Sequence, residues 1–76
     1  MPRSLNEIAR EAEQDWKTIP ESARVYLSAM RALTTVRDNY GYDSGKSIVL
    51  YFLSNAASWR GETARRIKAE LKEMVK

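Results

Sequence analysis

Residues 45–60 read GKSIVLYFLSNAASWR and hold the longest charge-free run of the chain, from residue 47 to residue 59. That run is shorter than the roughly 20 apolar residues that a helix needs to cross a bilayer. A β-strand over residues 48–53 is the rival interpretation, but a lone strand finds no pairing partner elsewhere in this chain. The stretch therefore predicts a hydrophobic third helix at the centre of the fold.

Helical periodicity continues on both sides of this stretch. Ser4 and Glu7 form the S-x-x-E pattern of a capping box, which predicts a helix start. Pro20 suits the opening of a second helix because its missing N–H has no partner there, and Gly61 interrupts the pattern before a last helix. The four predicted helices cover residues 5–17, 20–36, 45–60 and 62–75.

Length and composition limit what this fold can be. A chain of 76 residues has room for one core only, so residues 1–76 are expected to form a single all-α domain, a compact bundle of four short helices. The sequence contains no Cys and no His, which removes disulfides, thiolate and imidazole metal ligands and the commonest general base. We expect no enzyme, no cofactor and no metal site, and a cytoplasmic protein without a membrane segment.

The segment between the second and third helices, residues 37–46, is rich in Asn, Asp, Gly and Ser and predicts a long loop. Tyr40 and Tyr42 lie in it, and Trp59 and Arg60 follow at the far end of the third helix. These residue types often anchor protein interfaces, so all four are candidate protein-binding residues. Core packing is the preferred alternative for Trp59, whereas binding and packing are equally expected of the tyrosines.

Residues 41–47, GYDSGKS, resemble a phosphate-binding loop of the G-x-x-x-x-G-K-[ST] type. Gly41 is one residue too close to Gly45 for that motif, and a helix precedes the loop where a strand is required. We predict instead that Ser44, or Asp43 before it, caps the third helix.

The second helix carries apolar residues on two sides. One of the two stripes is formed by Val25, Ala29, Ala32 and Val36. A helix this apolar is normally covered by two neighbours, or by one neighbour and a partner chain. The stripe is therefore a candidate surface for a homodimer.

The net charge of +3 is unevenly distributed, with six basic and three acidic residues in 60–76 against three basic and five acidic in 1–23. Arg65, Lys68, Lys72 and Lys76 share one flank of the fourth helix at 100° per residue. Such a stripe can contact phosphates of a nucleic acid or an acidic partner. Cations are also favoured near any helix C-terminus by the helix dipole, which is the structural alternative.

Glu7, Glu11 and Asp15 share one side of the first helix. Carboxylate metal sites in helical bundles usually recruit histidine and point inward. We therefore expect a solvated face, with an acidic docking surface as the alternative.

Two segments resemble short uncharacterised helical proteins of bacterial prophages and other mobile elements: YGYDSG at 40–45 and YFLSNAASWRGE at 51–62. The resemblance implies a small accessory protein that binds a host or phage macromolecule, such as an inhibitor of a defence system. It transfers no functional residue. Taken together, the sequence favours a non-catalytic protein-binding module, inhibitor or adaptor, with nucleic-acid binding through the last helix as the alternative.

Overall fold

The chain folds into four helices with a β-hairpin between the second and third, and the computed structural model describes residues 3–76 of it. The elements in chain order are α1 (Leu5–Asp15), α2 (Glu21–Arg31), β1 (Asn39–Tyr40), β2 (Asp43–Ser44), α3 (Gly45–Ser54) and α4 (Glu62–Met74). The predicted four helices are confirmed. The prediction of a purely all-α fold is wrong, because part of the expected loop pairs with itself.

The hairpin has antiparallel pairs Asn39 with Ser44 and Tyr40 with Asp43, so residues 41 and 42 form its turn. Gly41 has a φ of 64°, a left-handed conformation that glycine adopts without the steric cost of a side chain. Glycine with positive φ at the first of two turn residues matches the type II′ turn, whose twist suits paired antiparallel strands.

The first backbone N–H groups of α1 find hydrogen-bond acceptors both in neighbouring residues and in the segment that follows α2. Ser4 and Glu7 form the predicted capping box. The backbone N–H groups of Leu5 and Asn6 donate to the carbonyls of Thr34 (2.9 Å) and Leu33 (3.1 Å), respectively. The first four N–H groups of a helix have no intrahelical partner, so residues 33–34 act as a tertiary cap by accepting from two of them.

Both α2 and α3 are shorter than predicted. α2 ends at Arg31 instead of residue 36, since the chain turns there and carries residues 33–34 to α1. α3 ends at Ser54 instead of residue 60. Asn55 closes it by donating from Nδ2 to the carbonyl of Tyr51 at 2.8 Å, and the remaining residues turn back toward α1.

One hydrophobic cluster joins the helices, with α2 packed between α1 and α3 and with α4 packed mainly on α1. The expected central position of the third helix is not confirmed, because α3 leaves Leu50 44% and Tyr51 48% exposed. None of the helices within residues 3–76 combines the length and apolar content needed to cross a membrane. The largest fully buried side chains are Phe52, Leu5, Ile8, Leu27, Met30, Ile67, Leu71 and Val49.

Candidate functional site

The aromatic side chains are sorted between the core and one outer face. Trp16 and Trp59 stack with ring centroids 5.4 Å apart and planes 8° apart, and Phe52 meets both edge-on at 6.3 Å. Stacked and edge-on geometries are the favourable arrangements for aromatic pairs. This cluster therefore fixes the turn after α3 against the C-terminal end of α1.

Trp59 belongs to that core and is only 2% exposed. Its indole Nε1–H donates to Asp15 Oδ2 at 2.9 Å, so the one polar group of the ring is satisfied. The core-packing interpretation of Trp59 is confirmed, and its ring has no exposed face with which to anchor a partner. Arg60, the next residue, is exposed.

None of the four tyrosines of the chain is buried, although Tyr26 is partly buried and packs against the core. Tyr42 at the hairpin turn is fully exposed, at 107%, and Tyr40 beside it is 48% exposed. Tyr26 of α2 contacts Tyr51 of α3, with ring centroids 5.5 Å apart. Together with Val25, which is 60% exposed, these residues are called the hairpin surface: Val25, Tyr26, Tyr40, Tyr42 and Tyr51.

A groove of about 380 Å³ runs between α2 and the hairpin and is lined by three members of this surface, Val25, Tyr26 and Tyr40. Val25, Tyr26 and Tyr40 supply its apolar walls, and the buried Ile48 lies at its base. Charged side chains border the groove without filling it: Glu21, Arg24 and Asp43. The result is an apolar depression with a charged rim, the arrangement typical of a protein-binding site.

The base of the hairpin is held by a dense set of hydrogen bonds. Asp38 Oδ2 accepts from the backbone N–H of Thr34 and of Thr35, each at 3.0 Å. These two bonds, with that from Thr35 the stronger influence, lower the pKa of Asp38. The Asp38 carbonyl in turn accepts from Gly45 N at 2.7 Å, and Lys46 N donates to the Val36 carbonyl at 3.0 Å. These hydrogen bonds therefore fix the position of the hairpin that carries Tyr40 and Tyr42.

The predicted self-association stripe is not a continuous surface. Val25 is exposed on α2, but Ala29 is buried in the core at 3% exposure. Ala32 caps the C-terminus of α2, and Val36 lies beyond the helix. Because the helix ends at Arg31, helical spacing no longer aligns these four residues. Ala32 is exposed as well, but Val25 is the only large apolar side chain of the four that is exposed, and it joins the hairpin surface.

The basic residues grouped along α4 differ from the predicted stripe, because Lys76 is paired with an acidic residue and Arg60 joins the group. Lys76 pairs with Glu73 at 2.9 Å. Lys68 Nζ donates to the Trp59 carbonyl at 2.7 Å. Burial lowers the pKa of Lys68, and repulsion from Lys72 and Arg60 lowers it further. Arg60 thus lies beside the helix, and the four residues Arg60, Arg65, Lys68 and Lys72 are called the cationic face.

Of the three acidic residues on one side of α1, Glu7 and Asp15 are exposed to solvent, as expected, and Glu11 is partly exposed, but all three also make bonds within the fold. Glu11 accepts from Arg3 at 2.6 Å and pairs with Arg66, and Arg3 also pairs with Glu70 at 2.7 Å. Hydrogen bonds from Arg66 and then Arg3 lower the pKa of Glu11. Glu7 serves the capping box, and Asp15 serves Trp59 as described above.

Sequence reasoning identified the hairpin tyrosines but missed Val25, Tyr26 and Tyr51 as their neighbours. No local pattern marks that association, because it depends on how α2 and α3 pack. Within residues 3–76, no three acidic side chains are grouped as a metal site would require. Comparisons of the chain with protein-family models, with characterised proteins and with solved structures find no match.

Proposed function

We propose that this protein is a non-catalytic binding module that holds another protein on the hairpin surface. The observation that carries the proposal is the sorting of aromatic residues, with both tryptophans and the phenylalanine buried in the core and three of the four tyrosines exposed. The exposed Tyr40, Tyr42 and Tyr51 contribute little to the core and are free to serve recognition, and their clustering around Tyr26 gives a partner a single place to dock.

Tyrosine is well suited to this task. Its side chain offers a large contact area with few rotatable bonds, so ordering it on binding costs little entropy, and its hydroxyl can bond to a partner at the same time. Interface residues that dominate binding energy are enriched in Tyr, Trp and Arg. The groove between α2 and the hairpin can receive an apolar side chain of the partner, while Glu21, Arg24 and Asp43 supply a polar rim.

The size of the domain is compatible with an interface of ordinary dimensions. A stable protein complex buries about 800 Å² on each partner. The accessible surface of this chain is 5052 Å², so such an interface would occupy roughly a sixth of it. One face of the domain is enough, and the opposite side of the molecule remains accessible for a second contact.

The partner proposed is a different protein in the cytoplasm, and the module acts on it as an inhibitor or adaptor. The resemblance of residues 40–45 and 51–62 to prophage and mobile-element proteins favours a host or phage complex as the target. A second copy of the chain is the alternative occupant. A homodimer would have a mass near twice 8.7 kDa, which light scattering measures directly.

The test compares Tyr42→Ala and Tyr40→Ala with Leu50→Ala. Leu50 is a matched control because it is also an exposed apolar residue, at 44%, and lies outside the hairpin surface. A partner captured from the source organism by the unchanged protein is purified and titrated against each variant. Loss of an anchor residue costs 2 kcal/mol or more, so we expect about a 30-fold weaker affinity for Tyr42→Ala.

Circular dichroism establishes that the variants remain folded, which is expected because Tyr42 makes no contribution to the core. Equal affinities of the unchanged protein, Tyr42→Ala and Tyr40→Ala would exclude the hairpin surface as the site. Loss of affinity in Leu50→Ala alone would move the site to the other side of α3.

A further inference from the structure

Ion pairs within the fold neutralise one flank of α4 and leave the other flank charged. Glu70 pairs with Arg3, Glu73 pairs with Lys76, and Arg66 pairs with Glu11. Two of the three glutamates of α4, Glu70 and Glu73, are therefore paired with cations. The third, Glu62, lies in the first turn of the helix. The flank of α4 that these ion pairs do not neutralise carries the cationic face.

Two separate segments of the chain contribute to the cationic face. Lys68 is tied to the carbonyl of Trp59, so Arg60 is held next to the middle of α4. The repulsion from Lys72 and Arg60 that lowers the pKa of Lys68 is consistent with this proximity. Like charges placed together cost stability through their mutual repulsion, and a bound anion would relieve that repulsion.

The spacing along the helix suits a nucleic-acid strand. Residues 65 and 72 are seven positions apart, so their Cα atoms are separated by about 10.5 Å along the helix axis at 1.5 Å per residue. Phosphates along one strand of a duplex recur every 3.4 Å of its axis, so roughly three of them fall within that span. Side chains as long as Arg and Lys can reach successive phosphates from these positions.

An open cleft of about 660 Å³ extends beside Arg60 and enlarges this surface. Lys17 supplies a further cation to the cleft, and Thr18 and Ser58 supply hydroxyl groups. The carboxylate of Asp15 also lines it but accepts the hydrogen bond from Trp59. Charged and hydroxyl donors of this kind are the groups that contact the sugar-phosphate backbone.

The composition of the face favours a phosphate backbone over an acidic protein or a membrane. Protein interfaces rely on buried aromatic and apolar anchors, and interfacial helices insert apolar side chains into the lipid. The exposed large apolar residues among those the structure describes are Val25, Tyr40, Tyr42, Leu50 and Tyr51, none of them on α4. Recognition through charge alone is characteristic of sequence-independent nucleic-acid binding.

We infer that the cationic face, Arg60, Arg65, Lys68 and Lys72, binds the phosphodiester backbone of a nucleic acid without reading its sequence. The inference is independent of the hairpin surface, which shares no residue with it. With the two surfaces occupied together, the protein would connect a protein partner to DNA or RNA.

Fluorescence anisotropy with a labelled 20-base-pair DNA duplex, and with single-stranded DNA and RNA of the same sequence, tests the inference. With three phosphates neutralised, the logarithm of the duplex affinity falls with the logarithm of salt at a slope of about −2.7. Raising salt from 50 to 200 mM then weakens duplex binding about 40-fold. The relative affinities of the three probes identify which nucleic acid is preferred.

The decisive comparison is between two double variants with the same change in net charge. Arg65→Gln with Lys72→Gln removes two cations from the face, whereas Arg37→Gln with Lys46→Gln removes two exposed cations elsewhere. We expect the first variant to flatten the salt slope by about 2 and the second to leave it unchanged. No binding at 50 mM salt, equal effects of both variants, or equal affinity for a polyglutamate peptide would each overturn the inference.

Discussion

Replacing Gly45 with alanine sets two effects of opposite sign against each other. Gly45 is the first residue of α3, and in a helix interior alanine is favoured over glycine by up to about 1 kcal/mol. A Cβ atom at this position would lie 2.8 Å from the Thr35 carbonyl oxygen, 2.9 Å from Val36 Cα and 3.0 Å from the Val36 carbonyl oxygen. Ordinary van der Waals contacts of a Cβ atom begin near 3.4 Å, so all three atoms would have to move away from residue 45.

The contact effect is expected to win because the neighbours are backbone atoms. A flexible side chain could turn away, but the Val36 carbonyl accepts from Lys46 N at 3.0 Å and cannot move without loosening that bond. Overpacking of this kind costs about 1–3 kcal/mol. Contact with backbone atoms places this cost in the upper half of that range, at about 2–3 kcal/mol, so after a propensity gain of about 1 kcal/mol Gly45→Ala is expected to destabilise the domain by about 1–2 kcal/mol. The melting temperature then falls by roughly 4–16 °C.

Thermal and urea unfolding followed by circular dichroism at 222 nm measure this change. Ala69→Gly, at an exposed position in α4, reports the propensity effect alone and should cost about 1 kcal/mol. If Gly45→Ala melts at the same temperature as the unchanged protein or higher, the close approach of α3 to residues 35–36 is not what requires glycine there.

Two further predictions concern the core and the ion pairs. Trp59→Phe removes the donor to Asp15 and part of the stacked contact with Trp16, so the free energy of unfolding should fall by about 2 kcal/mol; an unchanged urea midpoint would contradict the assigned hydrogen bond. The pKa of Glu11 is lower in the folded chain than its ordinary value of 4.5, so its contribution to stability is present above pH 4.5 and is lost as the pH falls through the folded pKa. Glu11→Gln should therefore unfold at lower urea than the unchanged protein at neutral pH, and the two midpoints should converge in acid; a constant difference between them would refute the assignment.

Local signals in the sequence predicted the helix starts well. Ser4 and Glu7 satisfy backbone groups within one turn, so their pattern is visible without any knowledge of the fold, and the structure contains the capping box. Of the two residues offered as the cap of the third helix, Ser44 is the one whose hydroxyl accepts from Ser47 N, at 3.1 Å. Where a boundary depends on neighbouring residues, the sequence is informative.

The helix ends were not predictable in the same way. Val36 continues the apolar period of α2, yet the chain leaves the helix at Arg31 and residues 33–34 cap α1, which is nearly thirty residues away in the sequence. Likewise, the charge-free run through Trp59 continues beyond α3, but its last residues bend back so that Trp59 can stack on Trp16. In both cases a tertiary contact ends a helix that the periodicity alone would prolong.

The sequence does contain a local signal for the hairpin turn. A Gly-X pair between residues that can be paired, as at Gly41 and Tyr42, is typical of a two-residue type II′ turn. The short strands carry Asn, Asp and Ser, which are weak strand formers, so the composition favoured a loop. The association of Tyr26 with Tyr51 had no such signal, because it follows from the packing of α2 on α3.

Because tryptophans and tyrosines lie in different parts of the molecule, its intrinsic side chains can report folding and binding separately. Both tryptophans lie in one stacked core cluster, so their emission follows the state of the interior. The tyrosines all lie on or beside the face proposed for docking, so chemical labelling of their rings follows the occupancy of that face. Folding and binding can therefore be observed separately in the unmodified chain. Since the sequence contains no cysteine, a thiol introduced at either place would be the single attachment point for a dye.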